Sequence, residues 1–150
     1  MSSTEWYTPL PIWQSLGIFD LDPCSNKKTL CHAALNWYTK EDDGLKQEWF
    51  GRVWLNPPYG RDMFKTWLKK MAEHGNGIAL IPSRTGTAGF HNQVFNRGHS
   101  VFFFEGRISF ILPNGKPMRG NDHDSVLVAY SEFDTQAILN SGLKGKVLKI

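Results

Sequence analysis

The stretch from Val53 to Gly60, which reads Val-Trp-Leu-Asn-Pro-Pro-Tyr-Gly, constrains the fold of this chain most strongly. Its three apolar residues predict a short buried strand, which must end at the two prolines because they cannot donate hydrogen bonds to a sheet. Asn56 therefore stands at the end of the strand, where open α/β sheets build their sites. An amide beside proline-flanked carbonyls is suited to holding an exocyclic amino group, and Tyr59 offers a face on which a planar heterocycle can stack.

A helix and another strand follow this stretch. Apolar residues recur at helical spacing after Gly60 and predict a helix whose buried face is formed by Phe64, Trp67, Leu68 and Met71. Gly77–Ile81 then predicts a second buried strand, and a strand, a helix and a strand in this order form a crossover between parallel neighbours. Ile18–Leu21 predicts a further strand that also ends in proline and polar residues. We therefore expect it to run parallel to the strand before Asn56 and to share its edge of the sheet.

The remaining elements are predicted from shorter patterns. Helices are expected over Pro11–Leu16, Thr87–Asn96 and Thr135–Asn140, and extended segments over Val101–Phe104, Ile108–Leu112, Ser125–Tyr130 and Val147–Ile150. Lys27–Trp49 shows no sustained period, apart from a helical turn over Leu45–Trp49. Pro113–Asp124 is a loop rich in proline, glycine and asparagine, and its length suggests a function.

The composition favours one domain in a reducing compartment. The 150 residues, of which 41% are hydrophobic, match the commonest size of a single core. A net charge of +3 is compatible with an anionic partner such as nucleic acid but does not identify one. Two cysteines, Cys24 and Cys31, cannot form a disulfide-dense scaffold, and no apolar run approaches the roughly 20 residues that span a bilayer. We therefore expect a cytoplasmic protein with no leader and no membrane segment.

Six stretches of the chain match motifs that occur together in one order. In chain order they are Thr8–Pro9, Phe19–Pro23, Glu41–Leu45 with Trp49, Arg52–Arg61, Leu80–Thr85 and Gly106–Phe110. The Asn-Pro-Pro-Tyr box alone resembles motif IV of amino-group methyltransferases, including those that act on RNA or on protein glutamine. The series is far more specific than the box and covers residues 8 to about 130. The ordered series resembles one family, the small phage and prophage DNA N6-adenine methyltransferases of the Dam type.

The resemblance implies a Rossmann-like class I methyltransferase, an α/β fold with a mixed, mostly parallel sheet in a single compact domain over residues 1–150. It implies S-adenosylmethionine as the cofactor, bound by Tyr7, Thr8, Pro9, Asp22, Pro23, Asp42, Asp43 and Asn56. In this comparison Thr8 and Pro9 correspond to the segment near the methionine end of the cofactor, and the Asp42-Asp43 turn to the segment beside its adenine. The chain departs from most methyltransferases because Asp22–Asn26 contains no glycine where a glycine-rich loop usually follows the first strand. It also has no insertion large enough for a separate target-recognition domain, which implies limited sequence specificity.

The resemblance also implies DNA as the partner, in the cytoplasm of a bacterial host, with protection of a phage or prophage genome against restriction as the purpose. The catalytic box corresponds to Asn56, Pro57, Pro58 and Tyr59. In the predicted mechanism, the Asn56 side-chain oxygen and the Pro57 carbonyl accept hydrogen bonds from the N6 amino group of an adenine flipped out of the duplex. The predicted substrate contacts are stacking and phosphate binding by Tyr59, Phe110, Arg84, Arg107 and Arg119.

Several alternatives stay open at this point. The acceptor can instead be the N4 amino group of cytosine, an RNA base or a protein glutamine, and the missing glycine loop also fits a nucleic-acid-binding module without catalysis. Phe110 fits the core of a strand equally well. Four cations form either a solvated helix face or a phosphate-binding one: Arg61, Lys65, Lys69 and Lys70. Cys24, Cys31 and His32 lack the second half of a four-ligand zinc site, so no metal is predicted.

Overall fold

The computed structural model describes residues 10–25, 33–106, 108 and 124–150. In these residues the strands form one seven-stranded sheet. The strands are β1 (Phe19–Asp22), β2 (Ala34–Trp37), β3 (Val53–Leu55), β4 (Gly77–Pro82), β5 (Ser100–Phe104), β6 (Ser125–Ala129) and β7 (Gly145–Lys149). Their order across the sheet is β2-β1-β3-β4-β6-β5-β7.

The strand directions give a mixed sheet, as predicted. β1 to β4 are parallel to one another, whereas β6 lies antiparallel between β4 and β5, and β7 lies antiparallel to β5. The predicted parallel pairings of β1 with β3 and of β3 with β4 are confirmed. Five of the seven strands run in the same direction, which agrees with a mostly parallel sheet. Neighbouring strands are evenly divided, however, because three of the six pairings are parallel and three are antiparallel.

The helices connect the strands and differ from the prediction at their ends. They are α1 (Leu10–Gln14), α2 (Trp67–His74), α3 (Ala88–Phe90), which continues as a π-helical turn over His91–Phe95, and α4 (Glu132–Leu139). α2 begins later than the periodicity predicted, because residues 61–66 form turns in which the Thr66 hydroxyl donates to the Asp62 carbonyl at 2.8 Å. α4 begins earlier than predicted, because the Ser131 hydroxyl caps it by accepting a hydrogen bond from the Asp134 N–H at 3.1 Å. None of the helices in the described residues is long and apolar enough to cross a membrane.

β2 is the strand that the sequence patterns missed. It lies at the edge of the sheet and pairs with β1, with Asn36 opposite Leu21. Three of its four residues are exposed, so it carries neither a buried run nor an inside-outside alternation. The Asn36 side chain donates to the Asp20 carbonyl at 3.0 Å and helps to fix the register. The predicted strand over Ile108–Leu112 and the loop over Pro113–Asp124 fall mainly outside the described residues.

The sheet is covered by apolar side chains on both faces. Leu55 and Ile81 face the side packed by α2 and α3, whereas Trp54 and Leu80 face the side packed by α1 and α4. All six residues of β4 are buried. Its near-continuous apolar run is therefore the pattern of a central strand that is buried on both faces.

A buried ion pair ties the strands together at the opposite edge from Asn56, where β1, β3 and β4 begin. The Arg52 Nε donates to Asp134 Oδ1 at 2.6 Å, and the other carboxylate oxygen accepts the Gly77 N–H at 2.8 Å. The guanidinium also donates to the Ile18 carbonyl at 3.2 Å and lies 4.1 Å from the centre of the Phe19 ring. The pair joins α4 to the starts of three strands, which holds their carboxyl ends in one fixed alignment.

Candidate active site at the carboxyl edge of the sheet

The carboxyl ends of β1 and β3 lie side by side and bring two predicted site residues to one place. Asp22 is the last residue of β1, and Asn56 follows β3, with Leu21 of β1 opposite Val53 of β3. The chain order reverses here, because β2 lies on one side of β1 and β3 on the other. A reversal of this kind opens a crevice at the carboxyl ends of the strands, which is where ligands of open α/β sheets bind.

Asp22 places a buried carboxyl group in this crevice. Its side chain is 7% exposed, and Oδ1 accepts a hydrogen bond from the Cys24 N–H at 3.1 Å. Burial raises the pKa of Asp22 to about 7, because desolvation of the charge outweighs the opposing effect of this hydrogen bond. The carboxyl group therefore changes its protonation state near neutral pH. Burial also raises the pKa of the Cys24 thiol, so the thiol stays protonated.

The turn that contains Asp42 and Asp43, called here the acidic turn, follows β2. Backbone hydrogen bonds join the segment before it to the end of β1. The Tyr38 N–H donates to the Asp22 carbonyl, and the Ser25 N–H donates to the Tyr38 carbonyl, both at 2.9 Å. Within the turn, the Asp42 carboxylate accepts the Thr39 N–H at 2.8 Å. The turn predicted to lie beside the cofactor's adenine therefore adjoins the segment after β1.

Asp43 and Gly44 shape the turn where it approaches the segment after β1. Asp43 adopts a left-handed conformation with φ 55°, which non-glycine residues seldom adopt. A Cβ atom on Gly44 would lie 1.9 Å from the Pro23 carbonyl oxygen, so only glycine lets the two segments approach this closely. The Trp49 indole N–H donates to the Gly44 carbonyl at 2.8 Å. Trp49 and Gly44 thus position the acidic turn, a role that the sequence patterns did not indicate.

Lys70 was interpreted as part of a helix face that is either solvated or phosphate-binding, but its ammonium group binds backbone carbonyls instead. Its ammonium group donates to the carbonyls of Leu45 and Gln47, at 2.8 and 2.5 Å. It also lies 5.3 Å from the centre of the Trp49 ring. The lysine therefore ties α2 to the segment after the acidic turn. The other three cations of this face are exposed: Arg61, Lys65 and Lys69.

The Asn-Pro-Pro-Tyr box occupies the middle of the edge. Pro57 is buried, while Asn56, Pro58 and Tyr59 are half-buried, and Tyr59 packs against the apolar clusters of both faces. Burial raises the pKa of Tyr59, and the nearby Ser125 side chain opposes this effect only in part. The phenol is therefore neutral at physiological pH. Ser125 begins β6 and pairs with Pro82 at the end of β4, so Tyr59 extends from β3 toward these two strands.

A groove of about 500 Å³ continues the edge beyond Tyr59. It lies where β4 and β5 end and β6 begins, and its walls include Ser83, Thr85, Phe103, Phe104, Asp124 and Ser125. None of these was predicted as a site residue, because the groove depends on the insertion of β6 between β4 and β5. The sequence does place small hydroxyl residues at the boundaries of predicted strands, with Ser83 two residues after Gly77–Ile81 and Ser125 first in Ser125–Tyr130.

The other predicted site residues fall into two groups. Arg84 is exposed just after β4, at the same edge, where its N–H donates to the Pro82 carbonyl at 2.9 Å. The second group lies outside the described residues, together with Cys31 and His32, and consists of Tyr7, Thr8, Pro9, Arg107, Phe110 and Arg119. The structure thus brings Asp22, Pro23, the acidic turn, the Asn-Pro-Pro-Tyr box and Arg84 to one edge.

The chemical type of the side chains at this edge changes from strand to strand across the sheet. Carboxyl groups dominate at β2 and β1, the Asn56 amide lies at β3, and aromatic and hydroxyl groups line the groove at β4, β6 and β5. Neighbouring strands lie about 4.8 Å apart, so the acidic part and the groove flank the amide within a few strand spacings. Such an order can hold a hydroxyl-bearing or cationic ligand on one side and a planar apolar ligand on the other.

Comparison with known proteins identifies the family. Residues 2–146 match the family model described as "DNA N-6-adenine-methyltransferase (Dam)". The chain belongs to this family. The Dam-family chain is also similar to "DNA N-6-adenine-methyltransferase" of Escherichia phage T1, with 30% identity over an alignment of 153 residues. The alignment covers 85% of this chain and 63% of the phage protein, so the chain spans just under two thirds of that relative. No solved structure matches the chain.

Proposed function

We propose that this chain transfers a methyl group from S-adenosylmethionine to the N6 amino group of adenine in DNA. The observation that carries the proposal is the position of Asn56, at the carboxyl end of β3 beside the point where the chain order reverses. Membership of the Dam family supports adenine as the acceptor and DNA as the substrate. The T1 relative comes from a bacteriophage, which supports a phage or prophage role. We further propose that the chain acts in the cytoplasm of a bacterial host and that methylation protects the genome against restriction.

We propose that the fold is that of a Rossmann-like class I methyltransferase, in which residues 1–150 form one domain and contain no separate target-recognition domain. The support comes from the parallel strands β1 to β4 and from the antiparallel β6 inserted between β4 and β5. We also propose limited sequence specificity, because residues 1–150 contain no insertion long enough for a separate target-recognition domain.

The residues on the acidic side fit S-adenosylmethionine in their chemistry. This cofactor has ribose hydroxyls and a cationic sulfonium but no phosphate, so carboxylates suit it and a phosphate-binding glycine loop is not required. We propose that it is held by Asp22, Pro23, Asp42, Asp43 and Asn56, together with Tyr7, Thr8 and Pro9. When bound, it supplies the methyl group.

Asn56 and Pro57 position the nucleophile in the proposed mechanism. The lone pair of an adenine amino nitrogen is delocalised into the ring and attacks poorly. When the Asn56 side-chain oxygen and the Pro57 carbonyl accept hydrogen bonds from the amino group, the lone pair localises on nitrogen and points away from both hydrogens. Orientation of this kind can contribute about 7–11 kcal/mol in well-aligned systems. Fixed acceptors also stabilise the positive charge that develops on nitrogen, so no strong base is needed before attack. The nitrogen loses one proton to water after the new N–C bond has made it cationic.

Tyr59 and the arginines are proposed to hold the DNA. A base inside a duplex cannot reach Asn56, so the adenine flips out at a cost of a few kcal/mol, which stacking on Tyr59 partly offsets. The neutral phenol suits this role, because an ionised ring beside the phosphates would repel them. We propose Phe110 for the opposite face of the base, and Arg84, Arg107 and Arg119 for the phosphates.

The test is transfer of a tritiated methyl group from S-adenosylmethionine to DNA, followed by digestion and nucleoside chromatography. The proposal predicts label in N6-methyladenine. Label in N4-methylcytosine, in RNA or in protein glutamine would overturn the choice of acceptor. DNA binding without any transfer would support a binding module that lacks catalysis.

A further inference from the structure

We propose that three exposed cations after the Asn-Pro-Pro-Tyr box, Arg61, Lys65 and Lys69, bind the phosphate backbone of the DNA next to the target adenine. These three residues are called here the basic face. The inference rests on the proposed function, because it takes DNA as the substrate. It goes beyond that function by assigning a surface that binds DNA irrespective of its sequence.

The positive charge of the chain is concentrated in the segment that follows the box. Residues 60–98 contain six lysines and arginines but only two acidic residues, a net charge of +4, whereas the whole chain carries +3. The rest of the chain therefore carries a net charge of −1. The helices of this segment, α2 and α3, cover one face of the sheet. A basic surface on one face of a molecule is the electrostatic footprint of nucleic-acid binding.

The side chains of the basic face have no partner within the described part of the chain. No hydrogen bond or ion pair joins them to another described residue, although Asp62 and Glu73 lie close to them in the sequence. Other cations on this side of the molecule are engaged. Lys46 pairs with Asp43 at 3.7 Å, and Lys70 donates to two backbone carbonyls. The basic face therefore leaves three positive charges available for an anionic ligand.

The basic face begins directly at the proposed site. Arg61 follows Tyr59 by two residues, so their Cα atoms lie at most about 7 Å apart. Lys65 lies in the turns over residues 61–66, and Lys69 lies in the first turn of α2, the end of the helix that is nearest the carboxyl edge. A DNA strand carries a phosphate about every 3.4 Å along the duplex. When the target base stacks on Tyr59, the neighbouring phosphates therefore lie beside these cations.

Packing holds the segment that carries the cations in one position. Phe64, directly before Lys65, is buried, and its ring lies 6.0 Å from the Phe90 ring of α3. A Cβ on Gly89 would lie 2.4 Å from the Phe64 Cβ, so α3 packs closely against these turns. The backbone under the basic face is thus ordered before DNA binds, and less conformational entropy is lost on binding than with a free loop.

The experiment measures binding of a short fluorescein-labelled DNA duplex by fluorescence anisotropy, without S-adenosylmethionine. The logarithm of the binding constant falls with the logarithm of the salt concentration, with a slope of about −0.9 for each phosphate contact. The basic-face variant combines Arg61→Gln, Lys65→Gln and Lys69→Gln, and its melting temperature is checked against the wild type. Its slope should be shallower than that of the wild type by about 3.

The matched control combines Lys144→Gln, Lys146→Gln and Lys149→Gln. It removes the same charge from exposed positions on and beside β7, the edge strand farthest from β2. Its slope should differ from that of the wild type by less than about 1. A variant with Lys65→Arg and Lys69→Arg keeps the charge and should keep the wild-type slope. Equal slopes for the wild type and the basic-face variant, or equal changes in the variant and the matched control, would overturn the inference.

Two further readouts separate phosphate binding from base recognition and from catalysis. The basic-face variant should lose the same affinity for a duplex made only of G·C pairs, because phosphates carry no sequence information. A loss confined to duplexes that contain adenine would overturn the inference. Absence of methyl transfer by a wild type that binds DNA with the expected salt dependence would reject the proposed function alone. An unchanged slope in the basic-face variant would reject the inference alone, even when the wild type methylates adenine.

Discussion

At the scale of single residues, Asn56 carries the proposed chemistry because its amide lies between the acidic side of the edge and the groove. Asn56→Ala removes one fixed acceptor of the amino group, while the carboxyl groups of Asp22 and the acidic turn stay in place. We expect the rate of methyl transfer to fall by about a hundredfold or more, as when one preorganised polar contact is lost. Binding of S-adenosylmethionine, measured by calorimetry, should weaken far less than the transfer rate falls, because the other residues proposed to hold the cofactor remain.

The matched control for this substitution is Asn92→Ala, at an exposed position in the π-helical turn after α3. It removes the same amide far from the carboxyl edge, so the transfer rate should stay within twofold or so of the wild type. Near-normal turnover of Asn56→Ala would remove Asn56 from the mechanism.

Asp22 gives a second prediction at this scale, on stability against pH. Its pKa of about 7 in the folded protein lies above the value near 3.9 that we expect in the unfolded chain. The folded state therefore holds this proton more tightly, and its contribution to stability is full at low pH and is lost as the pH rises toward 7. Asp22→Asn keeps the acceptor for the Cys24 N–H but has no charge to desolvate. Its free energy of unfolding relative to wild type should be higher at pH 8 than at pH 5.

Urea denaturation of both proteins at the two pH values measures this difference. If the difference in unfolding free energy between wild type and Asp22→Asn does not change with pH, the carboxyl group of Asp22 is not desolvated in the fold.

At the scale of elements, the pairing of β1 with β3 and of β3 with β4 could be predicted because buried parallel strands show continuous apolar runs. β2 could not, since an edge strand with exposed side chains has no such signal. The antiparallel insertion of β6 was also not predicted, because a strand's apolar run does not reveal which neighbours it pairs with. The Asn-Pro-Pro-Tyr box was therefore placed correctly at a strand end, whereas the groove that depends on β6 was not foreseen.

The acidic turn supplies the prediction at this scale. Gly44→Ala would place a Cβ 1.9 Å from the Pro23 carbonyl oxygen, so the turn must move away from the end of β1. We expect a loss of about 1–3 kcal/mol in the free energy of unfolding, the usual cost of forcing extra atoms into a packed site. Affinity for S-adenosylmethionine should fall as well, because the turn is part of its proposed site.

Gly86→Ala is the control, because a Cβ at this position meets no atom within 4 Å. Its stability, measured by chemical denaturation, should lie within about 0.5 kcal/mol of the wild type. Equal stability of the two alanine variants would mean that the contact between Gly44 and Pro23 does not constrain the turn.

At the scale of the whole molecule, the ion pair between Arg52 and Asp134 aligns the strands that carry the site. Both side chains are buried, at 8% and 0% exposure. Asp134→Ala leaves the guanidinium without its partner, and we expect a loss of about 3–5 kcal/mol, as when one member of a buried pair is removed. The exposed pair of Lys46 and Asp43, at 3.7 Å, is the comparison, and Lys46→Ala should cost about 0–1 kcal/mol.

Thermal and urea unfolding of these variants tests the role of the pair. If Asp134→Ala costs no more than Lys46→Ala, the pair does not hold the sheet together, and the alignment of the strand ends must have another cause.

The central claim is that this edge of the sheet methylates adenine in DNA, and mass spectrometry of nucleosides tests it most directly. DNA free of methylated bases is incubated with the purified chain and S-adenosylmethionine that carries a deuterated methyl group, then digested to nucleosides. The account predicts deuterated N6-methyldeoxyadenosine with the wild type and at most about a hundredth of that amount, in the same time, with Asn56→Ala. Deuterated methyl found only on another base or on protein, or none on DNA, would contradict it.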